Sequence, residues 1–451
     1  MENRPENWTA MTPGEKRAWR LELYRNSGKG VKFVSKEAEK NFHTRVNRQI
    51  AVYNVEKPDR IPLSFSAGNL PLQMAGLENR TAYYEPDKAY AAAMKFNEKY
   101  ARELESFSLP MSFSGEVMEI LGYKLYAWPG GGLPNNAGGF QFREGEYMTA
   151  DEYDDLIRDP SDFWLRKYLP RVFGSFVPFT RFAALTNIIE APGINDLAVP
   201  FSEQPVMDMF ETFIKAGHAF RKHSAGLGKY MGIGASWGFP GAGGGYCFAP
   251  FDILGDTMRG TTNIMKDMFR RPQKLLAALE VITDITIDNV LKMRGAQTGV
   301  SIMYPLHKGA DGWMSQSQFD KFYWPTLKRC MDAFIKEGLI QHLFAEGSFN
   351  SRLDYVGGFP KGTVSWLFDQ TDMVKAKKAL GKECCIAGNV PSSLLVTSTP
   401  DEVKKYCRNL IETIGRDGGY TLSPGASPDN PKLENLKAMV EVVNEYGWYK
   451  K

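Results

Sequence analysis

The second half of the chain repeats one unit, in which a short apolar strand leads to a polar or glycine-containing tip and then to an amphipathic helix. Residues 300–304, 342–345, 364–368 and 385–387 are the clearest of these strand candidates. Strands joined by crossover helices form parallel sheets, and eight such units close into a barrel whose strand ends meet at one mouth. The pattern therefore predicts an α/β protein, a (β/α)8 TIM barrel, with a catalytic pocket at that mouth.

The first half of the chain is less regular and predicts additions to the barrel. Residues 1–35 are polar and interrupted by proline and glycine, so we expect an N-terminal helical extension with one short helix near residues 13–25. No low-complexity linker divides the rest, and residues 36–451 are predicted to form one barrel domain that opens with a helix over 36–53.

Further segments of the first half carry specific predictions. Residues 61–66 are predicted to form the first strand of the barrel. Residues 108–150 contain short β-like pieces beside glycine runs, which indicates a hairpin or loop insertion. Residues 205–226 are predicted to be helical, and the apolar run 229–236 is predicted to be a buried strand.

Composition and charge argue against several classes of function. The net charge is only +3 and the basic residues are dispersed, so neither nucleic acid nor a membrane surface is an expected partner. No apolar run approaches the ~20 residues of a membrane span, and the N-terminus lacks the apolar region of a signal peptide. The five cysteines form no CxxC pair, which favours a reducing compartment, and we expect a cytoplasmic protein.

Glycine-rich runs at 130–132 and 241–245 raise the question of nucleotide binding. Neither run gives GxGxxG or GxxxxGK[ST] between a strand and a helix. Loop flexibility, or close approach of the backbone to a bulky ligand, is the better interpretation of these glycines.

His307 and Lys308 follow an apolar strand directly, at a predicted strand-to-helix turn. Asp311 lies three residues on, and Ser315 is a plausible N-cap for the next helix. Three ionisable side chains in five residues are more than a solvated loop needs, so His307 and Lys308 are candidate catalytic residues. A purely structural histidine is the alternative for His307.

Glu346 and Asp369 end two further strands of the repeat. A carboxyl group at the rim of an apolar barrel should have a raised pKa through desolvation, which suits a general acid, and Glu346 is the candidate for that role. Asp369 is the third candidate, with hydrogen bonding to loop backbone as its alternative. Asn389 and Ser423 lie at the tips of the last two strands and are candidate substrate-binding residues.

A metal site at the mouth is a further hypothesis. His307, Glu346 and Asp369 supply nitrogen and oxygen ligands, and zinc needs side chains converging within ~2.0–2.3 Å of one ion. Cys385 lies four residues before Asn389, which at ~3.3 Å per residue places it roughly 13 Å below the mouth. An inert buried thiol is therefore the better interpretation of Cys385.

The C-terminal half resembles the uroporphyrinogen decarboxylase superfamily. The resemblance rests on "RIPL" at 60–63, "FAEG" at 344–347, "FDQTDM" at 368–373, "AGNVP" at 387–391 and "GGYTLSPGAS" at 418–427. It covers roughly residues 36–451 and is strongest after 250. It implies a (β/α)8 barrel with its active site at the C-terminal mouth, which agrees with the repeat.

Departures from the family pattern favour one branch of the superfamily. The arginine-rich segment that holds substrate carboxylates in true porphyrinogen decarboxylases is replaced by Ser-Ala-Gly-Asn-Leu-Pro at 66–71. The H-x-C zinc ligands of thiol methyltransferases fall on Phe344, Ala345 and Glu346, and no cysteine occurs in 388–391. The chain is then most similar to the corrinoid-dependent methyltransferases that demethylate small methylated compounds.

The resemblance implies an O-demethylase that moves a methyl group from a methoxylated aromatic to cob(I)alamin on a separate corrinoid protein, with zinc as a candidate ion. Glu346, with His307 and Asp369, would assist departure of the phenolate, and Lys308 would stabilise its charge. Trp237, Phe239 and Tyr304 would stack the ring, with core packing as their alternative. A homodimer is expected from the superfamily.

Other hypotheses stay open at this point. The same scaffold serves other methyl donors, such as a methylamine, thioether or methylthiol, and a uroporphyrinogen decarboxylase-like lyase. A non-catalytic corrinoid- or tetrapyrrole-binding module is a further alternative.

Overall fold

Six parallel strands form the main sheet of the protein. The computed structural model describes residues 4–109 and 112–449 of the chain. The sheet runs in chain order, from β4 to β9, so that each strand pairs with the next. Its strands are β4 (Gly244–Tyr246), β5 (Ser301–Leu306), β6 (Ile340–Ala345), β7 (Val364–Phe368), β8 (Cys385–Gly388) and β9 (Tyr420–Thr421).

Helices return the chain between these strands on one side of the sheet. Their termini carry the signals that a sequence uses to start a helix: Ser315 and Thr399 each form a capping box, and the Asp372 side chain accepts two main-chain N–H groups. The prediction of Ser315 as an N-cap is confirmed. The helices of this half are Pro250–Asp252, Thr261–Arg270, Pro272–Lys292, Arg294–Thr298, Gln316–Gln318, Trp324–Lys336, Met373–Leu380, Ser392–Thr397, Pro400–Thr413 and Leu433–Tyr446.

The predicted first strand extends the sheet beyond β9. Leu63 forms a parallel bridge with Leu422, and the main chain of Ser64 donates to Leu422 at 3.0 Å. The fold is an α/β barrel of the (β/α)8 class, as the repeat predicted. Its core packs the helices against strand residues such as Trp366, which is fully buried.

The N-terminal extension is docked on the barrel. Its helix is Pro13–Arg25, and the helix Lys36–Tyr53 opens the predicted barrel domain, both as predicted. Arg20 is buried and donates to the main-chain oxygens of Glu337 at 2.8 Å and Gly299 at 2.6 Å. Residues 1–3 of the extension lie outside the described residues, and a domain boundary at residue 35 stays a prediction.

The insertion predicted at 108–150 contains a small sheet. Strand β1 (Tyr126–Pro129) pairs with β2 (Gly132–Leu133) and with β3 (Gln141–Phe142), while residues 110 and 111 lie outside the described residues. Helices surround this sheet in the first half of the chain. They are Leu70–Met74, Thr81–Tyr84, Pro86–Tyr100, Gly115–Leu121, Tyr153–Arg158, Pro160–Phe163, Leu169–Val172 and Ala191–Ala198.

The strand predicted at 229–236 is wrong. One helix, Gln204–Ser236, takes in both this segment and the helix predicted at 205–226. A helix that is already formed adds one hydrogen bond for each residue it gains, and no proline interrupts the run. Gly234 serves close packing, since a Cβ there would lie 2.9 Å from a Phe107 ring carbon.

Within the described residues, no helix combines the length and apolar character needed to cross a membrane.

Candidate active site at the barrel mouth

The ends of β5, β6 and β7 bring three predicted catalytic groups to one level. The last residues of these strands are paired in register, and the next residue of each is His307, Glu346 or Asp369. We call these three residues the mouth tier. All three line one cavity, so the sequence prediction that they gather around a common opening is met.

Two aspartates from the turn after β4 hold His307. The Asp256 carboxylate lies 2.6 Å from Nδ1 of the ring, and Asp252 accepts the main-chain N–H of His307 at 3.0 Å. Burial disfavours the charged ring, but the hydrogen bond to Asp256 and the surrounding carboxylates outweigh it and raise the pKa of His307 to about 9. At neutral pH the ring is therefore an imidazolium, and its Nε2 lies 3.7 Å from Oε1 of Glu346.

Asp252 is the buried centre of this turn. Besides His307 it accepts the main-chain N–H of Lys308 at 3.0 Å and the hydroxyl of Tyr323 at 2.8 Å. Burial and the charge of Asp256 raise the pKa of Asp252 to about 6. This carboxyl group fixes the backbone that presents His307 to the mouth.

The Lys308 side chain lies behind the mouth tier and does not line the mouth cavity. This position corrects the prediction that Lys308 contacts the substrate. Its side chain is buried, pairs with Asp256 at 2.6 Å and donates to Thr261 at 3.0 Å. Burial opposes ionisation of Asp256, but hydrogen bonds to His307 and the charge of Lys308 prevail and lower the pKa of Asp256. Lys308 therefore keeps Asp256 anionic, and Asp256 keeps His307 protonated.

Glu346 faces His307 across the mouth. Burial raises the pKa of Glu346 above its usual value, and the charges of Asp369 and Asp256 act in the same direction, while His307 opposes them. The side chain is 42% exposed, so it can exchange protons with solvent. A carboxyl group with these properties can act as a general acid.

Asp369 has a structural contact as well as a place at the mouth. Its Oδ2 accepts the main-chain N–H of Gly347 at 3.1 Å. Gly347 has a φ of +76°, a conformation that glycine adopts without strain and that turns the chain immediately after Glu346. Asp369 therefore bonds to the loop backbone, which was the alternative proposed from the sequence, and it also lines the mouth cavity.

The mouth cavity has a volume of about 430 Å³. Trp313 and Phe344 supply its aromatic surface, and the Phe248 ring lies 6.3 Å from the ring of His307. The lining residues are His307, Ala310, Trp313, Phe344, Glu346, Gly347, Asp369 and Ala426.

A second cavity continues inside the barrel, and we call it the lumen cavity. Its volume is about 500 Å³, and it shares Phe344 and Ala426 with the mouth cavity. Alternate residues of each strand face it, as expected for the inside of a barrel. Its lining residues are Gln49, Tyr53, Ser64, Phe65, Ser66, Ser301, Met303, His342, Phe344, Ser365, Leu367, Ala387, Thr421, Ser423, Pro424, Ala426, Ser427 and Pro428.

The aromatic residues predicted to stack the substrate lie elsewhere. Tyr304 is fully buried and donates to Gln341 at 2.7 Å; the alternation of the strand points its neighbour Met303 into the lumen instead. Phe239 lines a separate cavity of about 340 Å³, and its ring packs on Arg45 at 4.2 Å. Trp237 packs edge-on against Phe107. Core packing, the alternative proposed from the sequence, is supported for Tyr304, while Trp237 and Phe239 are half-buried and line neither the mouth cavity nor the lumen cavity.

The two predicted residues of the last strand tips differ in position. Asn389 donates to the main-chain oxygens of Asp369 at 3.1 Å and Thr371 at 2.9 Å, so its side chain holds the loop of Asp369 and lines an outer groove rather than the mouth. Ser423 lines the lumen cavity. Its buried hydroxyl has no hydrogen-bond partner among the described residues, which leaves it available to a ligand.

The mouth tier does not fit the zinc site considered above. Among residues 4–109 and 112–449, no group of three or more His, Cys, Asp and Glu side chains is placed to hold a metal ion. Nδ1 of His307 is engaged by Asp256, and Asp369 accepts from Gly347. Nε2 of His307 is the ring nitrogen that faces the mouth, and the zinc site stays a prediction.

Neither cavity contains a basic side chain of lysine or arginine among its described lining residues. The carboxyl groups of Glu346 and Asp369 stand at the opening, with His307 as the one ring that carries positive charge there. An anionic ligand would lose its hydration on entry and find few counter-charges.

The comparison with known families agrees with this architecture. Residues 243–446 match the family model described as uroporphyrinogen decarboxylase (URO-D). We call residues 243–446, which are similar to this family, the URO-D-like segment. It contains the strands β4 to β9 and the whole mouth tier.

Curated relatives of the chain are uroporphyrinogen decarboxylases. The protein of Actinobacillus succinogenes is 24% identical over 220 residues and that of Chlorobaculum parvum is 25% identical over 221. Each alignment takes in 46% of this chain and 58–59% of the relative. The chain thus spans less than two thirds of the length of the curated relatives it matches.

A solved structure shows the same fold over a larger part of the chain. A methyltransferase from Methanosarcina mazei superposes with a TM-score of 0.53 at 16% sequence identity. The match covers 89% of this chain and 98% of the methyltransferase. It therefore extends the likeness in fold beyond the URO-D-like segment to most of the chain.

Sequence reasoning missed Asp252 and Asp256, which control the mouth tier. They precede a helix and are four residues apart, a spacing that places both carboxylates on one face of a helical turn. The turn follows β4, so its position at the C-terminal end of a strand was the available signal. The strand was overlooked because it is only three residues long.

Proposed function

We propose that this protein is a methyltransferase that demethylates a methoxylated aromatic compound and transfers the methyl group to cob(I)alamin on a separate corrinoid protein. The observation that carries the proposal is the pair of Glu346 and His307, 3.7 Å apart over a cavity without lysine or arginine. The fold shared with a methyltransferase supports the same class of reaction.

Methyl transfer from an aryl methyl ether releases a phenolate. The acceptor supplies the electron pair that forms the new bond to the methyl carbon, and the electrons of the broken C–O bond remain on oxygen. That oxygen leaves readily only if it is protonated as the bond breaks. The protein must therefore hold a proton next to the ether oxygen.

Glu346 is the proton donor in this proposal. The raised pKa of its carboxyl group favours the protonated form, and its exposure lets solvent restore the proton after each turnover. His307 is held as an imidazolium by Asp256, so its Nε2–H can donate a hydrogen bond to the charge that develops on the leaving oxygen. Trp313 and Phe344 offer apolar surface for the ring.

Decarboxylation of uroporphyrinogen is a weaker proposal for this site, even though the curated relatives carry that name. Uroporphyrinogen has eight carboxylates, and a protein that binds it needs several basic side chains. The described lining of both cavities has none from lysine or arginine.

A cationic methyl donor such as a methylammonium is a second candidate. Four carboxyl groups cluster at or behind the mouth, and aromatic rings stand beside them, an environment that attracts cations. The carboxyl groups belong to Asp252, Asp256, Glu346 and Asp369. The phenolate released by a methoxyarene needs a proton donor, whereas the neutral amine released by a methylammonium does not. Comparison of the two donors in one assay separates the candidates.

The test is methyl transfer from defined donors to free cob(I)alamin under anoxic conditions, followed by the absorbance of methylcobalamin. Turnover with methoxyarenes and none with trimethylammonium is expected, while the reverse result would establish the second candidate.

Glu346→Gln should lower the rate with methoxyarenes about a thousandfold, the scale of a lost general acid. The exposed carboxylate variant Asp284→Asn is the matched control. Methoxyarene turnover at the normal rate by Glu346→Gln would refute the assignment.

A further inference from the structure

The lumen cavity has a polar end that the proposed chemistry does not use. The register places His342 level with Ser365 two residues below the Phe344 level and four below Glu346. We call the uncharged polar groups at this end the polar floor. They are Tyr53, Ser301, His342 and Ser365.

His342 is a neutral hydrogen-bonding group within the polar floor. Its Nδ1 lies 3.1 Å from the Ser365 hydroxyl. Burial lowers the pKa of His342 to about 4, so the ring carries no charge at neutral pH. Its other nitrogen, Nε2, has no hydrogen-bond partner among the described side chains, and the ring is a lining element of the cavity.

Three apolar residues line the lumen cavity above the polar floor. Phe344 is paired in register with Leu367, and Leu367 with Ala387, so the three form an apolar collar on this part of the wall. Thr421, level with Ala387, and Ser423 add hydroxyl groups to the lining beside the collar. Four residues of strand separate His342 from Glu346, a rise of roughly 13 Å between their backbone positions. A single aromatic ring with a polar group at each end, and a hydrogen bond of about 2.8 Å beyond each, fits such a span.

We propose that the polar floor binds an uncharged hydroxyl substituent of the substrate, so that the substrate is a neutral phenol methylated at the opposite end of one ring. This inference rests on the proposed function, because the orientation places the methoxy oxygen at Glu346 and His307. The phenol hydroxyl meets His342 and Ser365, and the ring lies in the collar.

The same arrangement disfavours a carboxylated ring. A carboxylate at the polar floor would lose its hydration against groups that carry no positive charge, and a lone buried carboxylate is strongly destabilised. On the way in it would pass Glu346 and Asp369. A hydroxyl group loses far less on entry and can both donate and accept at His342 and Ser365.

The first experiment measures binding rather than turnover. Titration calorimetry with the full chain compares 4-methoxyphenol, anisole and 4-methoxybenzoate, which share the methoxy group and differ at the opposite ring position. We expect 4-methoxyphenol to bind about tenfold more tightly than anisole, the scale of one or two net hydrogen bonds, and 4-methoxybenzoate to bind most weakly. Equal or tighter binding of 4-methoxybenzoate would overturn the proposal.

Two variants test whether the preference for 4-methoxyphenol over anisole depends on the polar floor. His342→Leu and, separately, Ser365→Ala should each reduce the advantage of 4-methoxyphenol over anisole severalfold. Ser365→Ala removes one hydroxyl only and keeps the test valid if His342→Leu does not fold. Ser393→Ala, a serine outside both cavities, is the matched control. An unchanged advantage in both floor variants would refute the inference.

Glu346→Gln separates this inference from the proposed function. The variant should lose demethylation and keep the preference for 4-methoxyphenol over anisole, since Glu346 lies in the mouth tier. If no methoxyarene is demethylated by the unaltered protein but the floor-dependent preference is found, the proposed function fails and the ligand class stands. If demethylation occurs with 4-methoxybenzoate favoured, the proposed function stands and the ligand class fails.

Discussion

The URO-D-like segment and the segment 112–236 differ in how they use their apolar residues. In the URO-D-like segment most of them belong to one continuous core, with residues such as Trp366 and Phe334 fully enclosed. In the segment 112–236 many remain at the surface: Ile189 is 84% exposed, and Ile214 and Phe220 are about 60% exposed. The mouth tier therefore stands on the more tightly packed of the two regions.

Among the residues behind the mouth tier, the largest expected effect comes from breaking the relay of contacts from Lys308 through Asp256 to His307. Asp256→Asn removes the carboxylate that raises the pKa of the ring, so the imidazole becomes neutral at a lower pH. We expect the rate of demethylation to fall about a hundredfold and the alkaline limb of its pH profile to move toward neutral pH. The readout is the methylcobalamin assay between pH 6 and 10.

Asp284→Asn, an exposed carboxylate on an outer helix, is the control for that change. It should leave both the rate and the pH profile as they are. A normal profile in Asp256→Asn would show that His307 owes its charge to other groups and would remove the relay from the mechanism.

A stability experiment compares the two regions directly. Asp252→Ala leaves three buried donors without an acceptor, from His307, Lys308 and Tyr323, and should lower the free energy of unfolding by about 3 kcal/mol. Ile189→Ser, on the exposed surface of the other region, should change it by no more than about 0.5 kcal/mol. Urea titrations measure both, and similar losses in the two variants would contradict the comparison.

The same contrast explains what the sequence could predict. In the URO-D-like segment, short apolar strands and capped amphipathic helices agree locally with the fold. The parallel sheet, the Ser315 cap and the grouping of His307, Glu346 and Asp369 therefore followed from spacing alone. In the segment 112–236, local pattern was ambiguous. The apolar residues at 229–236 suit a strand or a helix, and tertiary context decided.

Side-chain direction was the harder property to predict at the site. Tyr304 was assigned to the substrate because it is aromatic and near the strand end, yet one residue of register turns it away from the lumen. Lys308 lies beyond the end of β5, and its side chain points behind the mouth, where it pairs with Asp256. The error for Tyr304 arises because successive strand residues point to opposite faces, and the face that lines the lumen is fixed only when neighbouring strands pair.

The pH dependence of stability tests the charge on His307. Its folded pKa, about 9, lies above the ordinary value of 6.5, so the folded state binds the proton more tightly than the unfolded state. The resulting stabilisation is fully present below pH 6.5 and is lost as pH rises through 9. Allowing for partial exposure of the ring, the loss should be about 1–2 kcal/mol.

Titration of buried tyrosines and cysteines lowers stability over the same alkaline range, so the comparison is between unaltered protein and His307→Gln. The difference in free energy of unfolding between the two should shrink from pH 6.5 to pH 9.5. A difference that stays constant with pH would mean that the ring is uncharged in the folded protein.

The smallest expected effect tests the helix at 229–236, where the sequence prediction failed. Gly232 has open space at the position of a Cβ, whereas a Cβ on Gly234 would press on Phe107. In a helix these two positions lie about 200° apart and face different surroundings, so Gly232→Ala should stabilise the protein by about 0.5–1 kcal/mol while Gly234→Ala should not. In a strand, residues two apart share one face and the two variants would respond alike. Thermal unfolding of the pair therefore decides between the two structures of this segment.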